Sequence, residues 1–87
     1  MTDETTAVHT ALKDFILREF LPGESEDSID LDTPLITGGI LDSIATIRYA
    51  TFVEEQFGVE LQDHELNSEN IDTVKSMAAI ILAKTKS

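Results

Sequence analysis

Cysteine and tryptophan are absent from this chain, and glycine and proline are scarce, with four and two occurrences in 87 residues. Without cysteine, the chain can form neither a disulfide framework nor a metal site with thiolate ligands. No apolar run approaches the ~20 residues that a membrane-spanning helix needs. The acidic start also lacks the basic and apolar segments of a signal peptide. We therefore expect a cytoplasmic protein that does not enter a membrane.

Positive charge is also scarce, since six Lys and Arg residues stand against 17 Asp and Glu residues, for a net charge of -11. Arg48 is the only lysine or arginine between positions 19 and 74. Such a surface repels the phosphates of nucleic acids and of anionic lipids, and it favours encounter with basic patches on partner proteins. We expect no nucleic acid partner, although an acidic surface also serves solubility alone.

The length of 87 residues suits one small domain over residues 1–87, with no internal repeat or linker. Hydrophobic residues make up 41% of the chain, which is enough for a single core. A chain this short buries only about 60% of the surface that it exposes when unfolded. It therefore has no room for a deep active-site cleft, and we expect a free-standing monomer.

Apolar residues at helical spacing divide the chain into elements. The predicted elements are a helix over about 5–20, a loop over 21–42, a helix over about 43–57, a short helix over about 66–71 and a last helix over about 73–84. Val59-Glu60-Leu61 is expected to be a short extended piece, and no β-strand is predicted. The sequence thus predicts an all-α fold, a small four-helix bundle with three main helices, one short helix and a long ordered loop.

Capping residues support these boundaries. Asp42 and Asp72 are suited to accept hydrogen bonds from the first free amides of the helices that follow them, and Gly58 is suited to end the second main helix in the left-handed conformation. One face of that helix is apolar, and Tyr49 and Phe52 widen the apolar arc beyond the residues of that face: Ile44, Ile47, Ala50, Val53 and Phe57.

The loop over 21–42 is long for so small a domain, but it is not uniformly polar. Its apolar residues are expected to pin it to the core: Ile29, Leu31, Leu35, Ile36, Ile40 and Leu41. A long pinned loop that leads into a helix is often functional.

Catalytic and metal-binding patterns are weak in this sequence. A serine nucleophile needs an adjacent base, but His9 and His64 are better explained as solvated or packing residues, and no Gly-x-Ser-x-Gly surrounds Ser43. Asp30 and Asp32 begin an EF-hand spacing that lacks its glycine and its final glutamate. We therefore predict no catalytic residue and no metal site.

Ser43 follows Asp42 at the start of the second predicted main helix, shortly after Gly38 and Gly39. A helix N-terminus stabilises an added phosphate, and small residues before the serine leave room for a modifying enzyme to close over it. The same residues also suit a simple helix cap, and the spacing alone favours that simpler interpretation.

Three groups of residues at the right separations resemble the acyl and peptidyl carrier proteins. They are Asp32-x-Pro34-Leu35 with Gly39-x-Leu41-Asp42-Ser43-Ile44, then Glu54-Glu55-x-Phe57-Gly58-Val59-Glu60-Leu61, and Asn70-Ile71-Asp72-Thr73-Val74. The short Asp-Ser-Ile motif is common by chance, whereas the combination covers nearly the whole chain and is specific.

The resemblance implies that Ser43 is the attachment residue of a 4'-phosphopantetheine arm that comes from coenzyme A. By the same resemblance, Asp42 and Gly39 serve recognition by the phosphopantetheinyl transferase, and Ile44 contacts partner enzymes. The protein itself would catalyse nothing. It would carry an acyl or aminoacyl thioester that a loading ligase or acyltransferase supplies and that downstream acyl-processing enzymes use.

Two departures from the family pattern lie on the second main helix, which the resemblance identifies as the exposed recognition helix. Fatty-acid-synthesis carriers usually have acidic residues where this chain has Ala45 and Arg48. The segment Gly39-Ile40-Leu41-Asp42-Ser43 also resembles stand-alone aminoacyl and peptidyl carriers more closely, including the D-alanyl and pyrrolyl types. This favours cargo from specialised, nonribosomal-peptide or polyketide-like metabolism. Arg48 would select among partners, or it would pair with an acidic residue one turn away.

Two other hypotheses stay open at this point. In the first, the chain is an unmodified acidic helical adaptor in which Ser43 is only a cap. In the second, it is a hydrolase that uses Ser43 with His9 or His64. Modification by a phosphopantetheinyl transferase separates both from the carrier hypothesis.

Overall fold

The computed structural model describes residues 4–25 and 28–85. Their helices are α1 (Glu4–Phe20), α2 (Ser43–Phe57), α3 (Ser68–Ile71) and α4 (Val74–Thr85), with a 3-10 turn over Asp63–Glu65. No strand occurs in these residues, so the prediction of an all-α bundle is confirmed. Residues 26 and 27 of the predicted loop, and residues 1–3 and 86–87 of the predicted domain, lie outside the described part of the chain.

Helix α1 contributes a stripe of apolar side chains to the core. Its buried side chains are Val8, Leu12, Phe15, Ile16 and Leu17. They face α4 and α2, which run alongside α1. Full burial of an aliphatic side chain of this kind stabilises the fold by about 1.5–3 kcal/mol relative to exposure. In the described ranges, no helix is both long and apolar enough to cross a membrane.

Aromatic rings join α1 to α2. The rings of Phe15 and Phe52 lie nearly parallel with centroids 4.1 Å apart, and Tyr49 lies parallel to Phe15 at 6.3 Å. Phe20 and Phe57 meet this stack edge-on at 5.6 and 6.4 Å. Such pairs add about 0.5–1.5 kcal/mol each beyond the area that they bury, so the orientation of α2 against α1 is well specified.

The loop between α1 and α2 is pinned by its own side chains, as predicted. Ile29, Leu35 and Leu41 are almost fully buried. Backbone hydrogen bonds add to this, because the carbonyl of Leu31 accepts from the amide of Lys75 at 3.1 Å. The loop is therefore fixed against the beginning of α4 rather than free in solvent.

The ends of α2 match the prediction. Asp42 has an extended backbone, and its carboxylate accepts a hydrogen bond from the amide of Ala45. At the other end, Gly58 adopts the left-handed conformation, with φ of 68°, and its amide donates to the carbonyl of Glu54.

The predicted cap of the last helix is wrong. Helix α4 begins at Val74, and the residue before it, Thr73, makes the cap. The Thr73 hydroxyl accepts from the Ser76 amide at 3.0 Å, and the Ser76 hydroxyl accepts from the Thr73 amide at 3.2 Å. Because Thr73 satisfies these amides, the carboxylate of Asp72 is free to bind elsewhere.

The predicted short helix over about 66–71 is also divided differently. A 3-10 turn occupies Asp63–Glu65, and α3 begins only at Ser68. Asn67 caps α3, because its side-chain oxygen accepts from the Asn70 amide at 3.1 Å. The cap explains why Leu66 lies before α3 rather than inside it.

Candidate functional site

Ser43 is exposed at the first position of α2. The preceding Asp42 holds the helix end through three contacts. Its Oδ1 accepts from the Ala45 amide at 2.8 Å, and its carbonyl accepts from the amide and the hydroxyl of Thr46 at 2.9 and 2.8 Å. The Ser43 hydroxyl has no hydrogen-bond partner among the described residues. The side chain that follows the cap is therefore available for reaction.

The residues present fit a phosphate on Ser43. Asp42 satisfies the amides of Ala45 and Thr46. Within the described ranges, the amides of Ser43 and Ile44 have no acceptor. Free amides and the positive end of the helix dipole stabilise an anion at such a terminus. A phosphodiester on the Ser43 hydroxyl would thus add negative charge at the end of α2 where it is favoured.

The turn before Asp42 needs its two glycines for backbone reasons. Gly39 has φ of 84°, in the left-handed region that side chains disfavour. A Cβ on Gly38 would collide with the carbonyl oxygen of Pro34. The sequence suggested that these glycines give an enzyme room at Ser43, and the structure adds that the tight turn itself depends on them.

Asp72, which lies 35 and 36 positions after its partners in the chain, holds this loop through hydrogen bonds. Its Oδ1 accepts from the amides of Ile36 and Thr37 at 2.7 and 2.9 Å, and its Oδ2 accepts from the Thr37 hydroxyl at 2.7 Å. Its carbonyl accepts from the Leu35 amide at 2.6 Å. We call this set of contacts the Asp72 clasp.

The pKa of the Asp72 carboxyl is held below its ordinary value. Partial burial acts to raise this pKa, but the hydrogen bonds from Thr37, Ile36 and Leu35 outweigh burial because they stabilise the charged form. Asp72 therefore remains a carboxylate, which strengthens each hydrogen bond that it accepts.

A mainly apolar groove of about 520 Å³ opens beside Ser43. Its lining residues are Ile36, Leu41, Asp42, Ser43, Thr46, Ile47, Leu66 and Asn67. The loop before α2 and the first residues of α2 line one part of the groove, and the segment before α3 lines the other. A slender chain attached to Ser43 would reach it directly.

The sequence did not indicate Thr46, Leu66 or Asn67 as groove residues. Thr46 resembles any helical threonine in a periodic pattern, and Leu66 and Asn67 lie more than twenty positions from Ser43. Only the folded chain brings them together, and no local signal could have identified them.

Two isoleucines on α2 are exposed beside Ser43. Ile44 exposes 71% of its surface and Ile47 exposes 58%. Of the apolar face that the spacing predicted, Ala50 and Val53 are buried, whereas the inward face of α2 otherwise consists of Ala45, Thr46 and Tyr49. Apolar residues cover so wide an arc of α2 that their spacing alone did not fix which side faces inward.

Arg48 does not pair with an acidic residue one turn away on α2. Its guanidinium binds Glu19 at the end of α1, with Nη2 3.0 Å from Oε1, and it lies 5.8 Å from the ring centroid of Phe20. The pair is substantially exposed, so it contributes about 0.2–1 kcal/mol. The interaction ties α1 to α2 next to the exposed isoleucines.

The other candidate residues lie apart from Ser43. Neither His9 nor His64 lines the groove or hydrogen-bonds to Ser43. The Asp30 carboxylate accepts from the Asp32 amide and the Thr33 hydroxyl at 2.9 and 3.1 Å. These hydrogen bonds lower its pKa and stabilise a local turn. Across residues 4–25 and 28–85, no cluster of three or more His, Cys, Asp or Glu is placed to hold a metal ion.

Two kinds of sequence comparison agree with this geometry. The family described as "Phosphopantetheine attachment site" matches residues 16–81. The chain is 32% identical over 74 residues to "Probable acyl carrier protein PigG" of Serratia sp., a match that covers 85% of this chain and 84% of that protein. It is 34% identical over 71 residues to the "D-alanyl carrier protein" of Lactococcus lactis subsp. cremoris, covering 82% and 90%.

A solved structure titled "Crystal structure of FAD-dependent dehydrogenase" contains a chain with the same fold. It matches with a TM-score of 0.72 and 36% identity over 80% of this chain and 97% of that one. The matched chain is therefore no longer than this one. The arm of this family is 4'-phosphopantetheine, which supplies the thiol that forms a thioester with the cargo. From the family match and the relatives together, the chain belongs to the phosphopantetheine-binding carrier proteins, and these two relatives are carriers other than those of fatty acid synthesis.

Proposed function

We propose that Ser43 bears the 4'-phosphopantetheine arm and that the protein is a stand-alone acyl or aminoacyl carrier. The observation that carries this proposal is the exposed, unpartnered Ser43 hydroxyl at the start of α2, beside an apolar groove of about 520 Å³. A residue that only capped the helix would use its hydroxyl for that purpose, but Asp42 already makes the cap.

In the modification, the Ser43 oxygen forms a bond to the pantetheine-bearing phosphorus of coenzyme A. The bond from that phosphorus to the other phosphate breaks, adenosine 3',5'-bisphosphate leaves, and the hydroxyl proton passes to a base of the transferase. Asp42 keeps one carboxylate oxygen, Oδ2, without a partner in the described part of the chain. This oxygen is suited to the magnesium ion that accompanies coenzyme A.

The proposed roles of the other recognition residues rest on how exposed these residues are. Ile44 is suited to an apolar contact with partner enzymes next to the arm, because it is the most exposed large apolar residue described. Gly39 leaves room for the transferase before Ser43, since no other atom lies within 4 Å of where its Cβ would stand. Arg48 presents a cation that Glu19 partly neutralises, and we propose that it discriminates against partners with basic docking patches.

The proposed partners are a phosphopantetheinyl transferase, a loading ligase or acyltransferase, and downstream acyl-processing enzymes. The similarity to PigG and to the D-alanyl carrier protein supports an amino-acid-derived or specialised acyl cargo, in nonribosomal-peptide or polyketide-like metabolism. We place the protein in the cytoplasm as a monomer that binds neither nucleic acid nor membrane and that catalyses no step itself.

One downstream partner has a specific observation in its favour. The similar chain in the FAD-dependent dehydrogenase structure is no longer than this one, and a chain of this size has room for one small domain. We propose that a flavin dehydrogenase is one of the downstream partner enzymes of this carrier. The enzyme would remove two hydrogens from the carried group and transfer them to the flavin, leaving a double bond in the cargo.

The decisive experiment measures intact protein mass after incubation with coenzyme A, magnesium and a broad-specificity phosphopantetheinyl transferase. We expect the wild type to gain one phosphopantetheine and Ser43→Ala to gain none. Ser68→Ala is the matched control, since Ser68 also follows a capping residue at the first position of a helix. This control should be modified like the wild type.

The adaptor hypothesis predicts a different result in the same experiment. An unmodified acidic adaptor gives no mass gain on a folded wild type. Ser43→Thr then keeps its function, because threonine preserves the hydroxyl of a cap. A gain on Ser43→Ala would show that another residue carries the arm. Labelling of Ser43 by an active-site phosphonate would instead support the hydrolase hypothesis.

A further inference from the structure

The Asp72 clasp joins two segments that are far apart in sequence. Asp72 lies between α3 and α4, and its partners Leu35, Ile36 and Thr37 lie in the loop before α2. Both carboxylate oxygens and the carbonyl oxygen are used. A single residue thus accepts four hydrogen bonds from three consecutive loop residues.

A short path of hydrogen bonds leads from the clasp to Ser43. The Leu35 amide donates to Asp72, and the Leu35 carbonyl accepts from the amides of Ile40 and Leu41 at 2.9 and 2.8 Å. Leu41 is buried and directly precedes the cap of α2. The loop residues that Asp72 holds therefore set where the chain enters α2.

The clasp also spans the groove beside Ser43. Ile36 forms part of one wall, and its amide donates to Asp72. Leu66 and Asn67 form part of the other wall, and Asn67 caps the short helix α3 that ends at Ile71, directly before Asp72. The carboxylate consequently fixes one wall relative to the element that carries the other.

We propose that Asp72 is a positioning residue for the modification of Ser43, an inference that rests on the proposed function. Asp72 acts through the loop and not by contact with the arm, because both of its carboxylate oxygens are already occupied by Ile36 and Thr37. It keeps the Ser43 hydroxyl and the mouth of the groove in the arrangement that the transferase requires. The competing explanation is that Asp72 is one more acidic residue that attracts a basic enzyme.

A graded set of variants separates these explanations. Asp72→Ala removes all three side-chain contacts, Asp72→Asn keeps an acceptor but loses the charge, and Thr37→Val removes only the hydroxyl contact. Steady-state kinetics with coenzyme A and the transferase then give kcat and KM for each carrier. Glu69→Gln is the control for charge, since Glu69 is exposed on α3 and makes no contact with the loop.

We expect kcat/KM to fall about 100-fold for Asp72→Ala and about tenfold for Asp72→Asn, because displacement of a reacting group by about 1 Å has effects of this size. The loss should lie mainly in kcat, with a smaller loss for Thr37→Val and none for Glu69→Gln. Amide hydrogen exchange should accelerate at Ile36 and Thr37 in Asp72→Asn, while α1 and α4 keep their protection.

Several results would overturn the inference. Equal losses for Asp72→Asn and Asp72→Ala that lie entirely in KM would show that the enzyme recognises the charge. Unchanged kinetics in Asp72→Asn and Thr37→Val would show that the clasp does not position Ser43, and these two variants decide the matter if Asp72→Ala fails to fold. Absence of modification in the wild type would overturn the proposed function first, and the inference with it.

Discussion

Tyr49 carries the one buried side-chain polar atom without a hydrogen-bond partner in the described ranges, its phenolic oxygen. The residue is inaccessible to solvent, and its ring lies parallel to that of Phe15. Burial raises the pKa of the phenol, so it stays neutral at physiological pH. A buried hydroxyl that lacks a partner costs about 1–3 kcal/mol of stability. The ring therefore stabilises the core while its oxygen opposes that gain.

Tyr49→Phe should raise the free energy of unfolding by about 1 kcal/mol, because it keeps the stacked ring and removes the unpaired oxygen. Tyr49→Ala should lower it by about 3–5 kcal/mol, because it also removes the ring. Urea unfolding of the unmodified protein measures both. A loss of stability in Tyr49→Phe would show that the hydroxyl has a partner, for example an ordered water.

Asp72 gives the fold a specific sensitivity to acid. Its pKa in the folded protein lies below the ordinary value of 3.8, so the unfolded chain binds a proton more readily than the folded one. The stabilisation is therefore complete above pH 3.8 and is lost as the pH falls through the lower folded value.

This linkage predicts the pH dependence of the Asp72→Asn variant. At neutral pH the variant should be less stable than the wild type, and the difference should shrink as the pH falls below the ordinary carboxyl value. Urea unfolding across that range measures the difference at each pH. A gap between the two proteins that stays constant down to the lowest pH would contradict the assignment of the charge to the clasp.

At the scale of elements, the side-chain caps of α2 and α4 serve different purposes. Asp42 caps α2 next to Ser43, the proposed attachment residue, and Thr73 caps α4 next to the clasp. Both satisfy an amide of the first turn, so the two contribute similarly to stability. Only the cap of α2 also presents a free carboxylate oxygen beside Ser43.

We expect Asp42→Ala and Thr73→Ala each to lower the free energy of unfolding by about 1 kcal/mol. Modification of Ser43 should slow strongly in Asp42→Ala and should be nearly unchanged in Thr73→Ala. Thermal unfolding and transferase kinetics on the same samples test both statements. Equal slowing in the two variants would mean that helix stability, and not the carboxylate, governs the modification.

Most elements were predictable because their signals are local. Helical spacing, the Asp42 cap and Gly58 set α1 and α2 nearly to the residue, and the serine motif with its neighbours indicated Ser43 as the candidate site, which stays a prediction. The inward face of α2 was not predictable, since its apolar arc is too wide to choose between Ile47 and Tyr49. The role of Asp72 depends on partners 35 and 36 positions away, which no sequence window contains.

At the scale of the molecule, the net charge of -11 has two opposing effects. It speeds encounter with basic enzymes, and it destabilises the compact chain by self-repulsion. Added salt weakens both, because it shortens the screening length from about 10 Å at 0.1 M to about 3 Å at 1 M.

Increasing sodium chloride should therefore stabilise the protein while it raises KM for modification by a transferase with a basic docking surface. Urea midpoints and steady-state kinetics in matched buffers measure the two trends. Sodium chloride that leaves KM unchanged would show that charge does not guide this encounter, even if the stability rises as expected.

Ile44 and Ile47 leave an apolar contact open on the surface of a small protein, 71% and 58% exposed. Like charge holds separate copies apart in solution, so these side chains stay exposed instead of joining two copies. This protection depends on the net charge and is lost where the net charge falls to zero. Close to the isoelectric point of about 4.2 that the sequence gives, we expect the exposed isoleucines to be the place where copies adhere to one another.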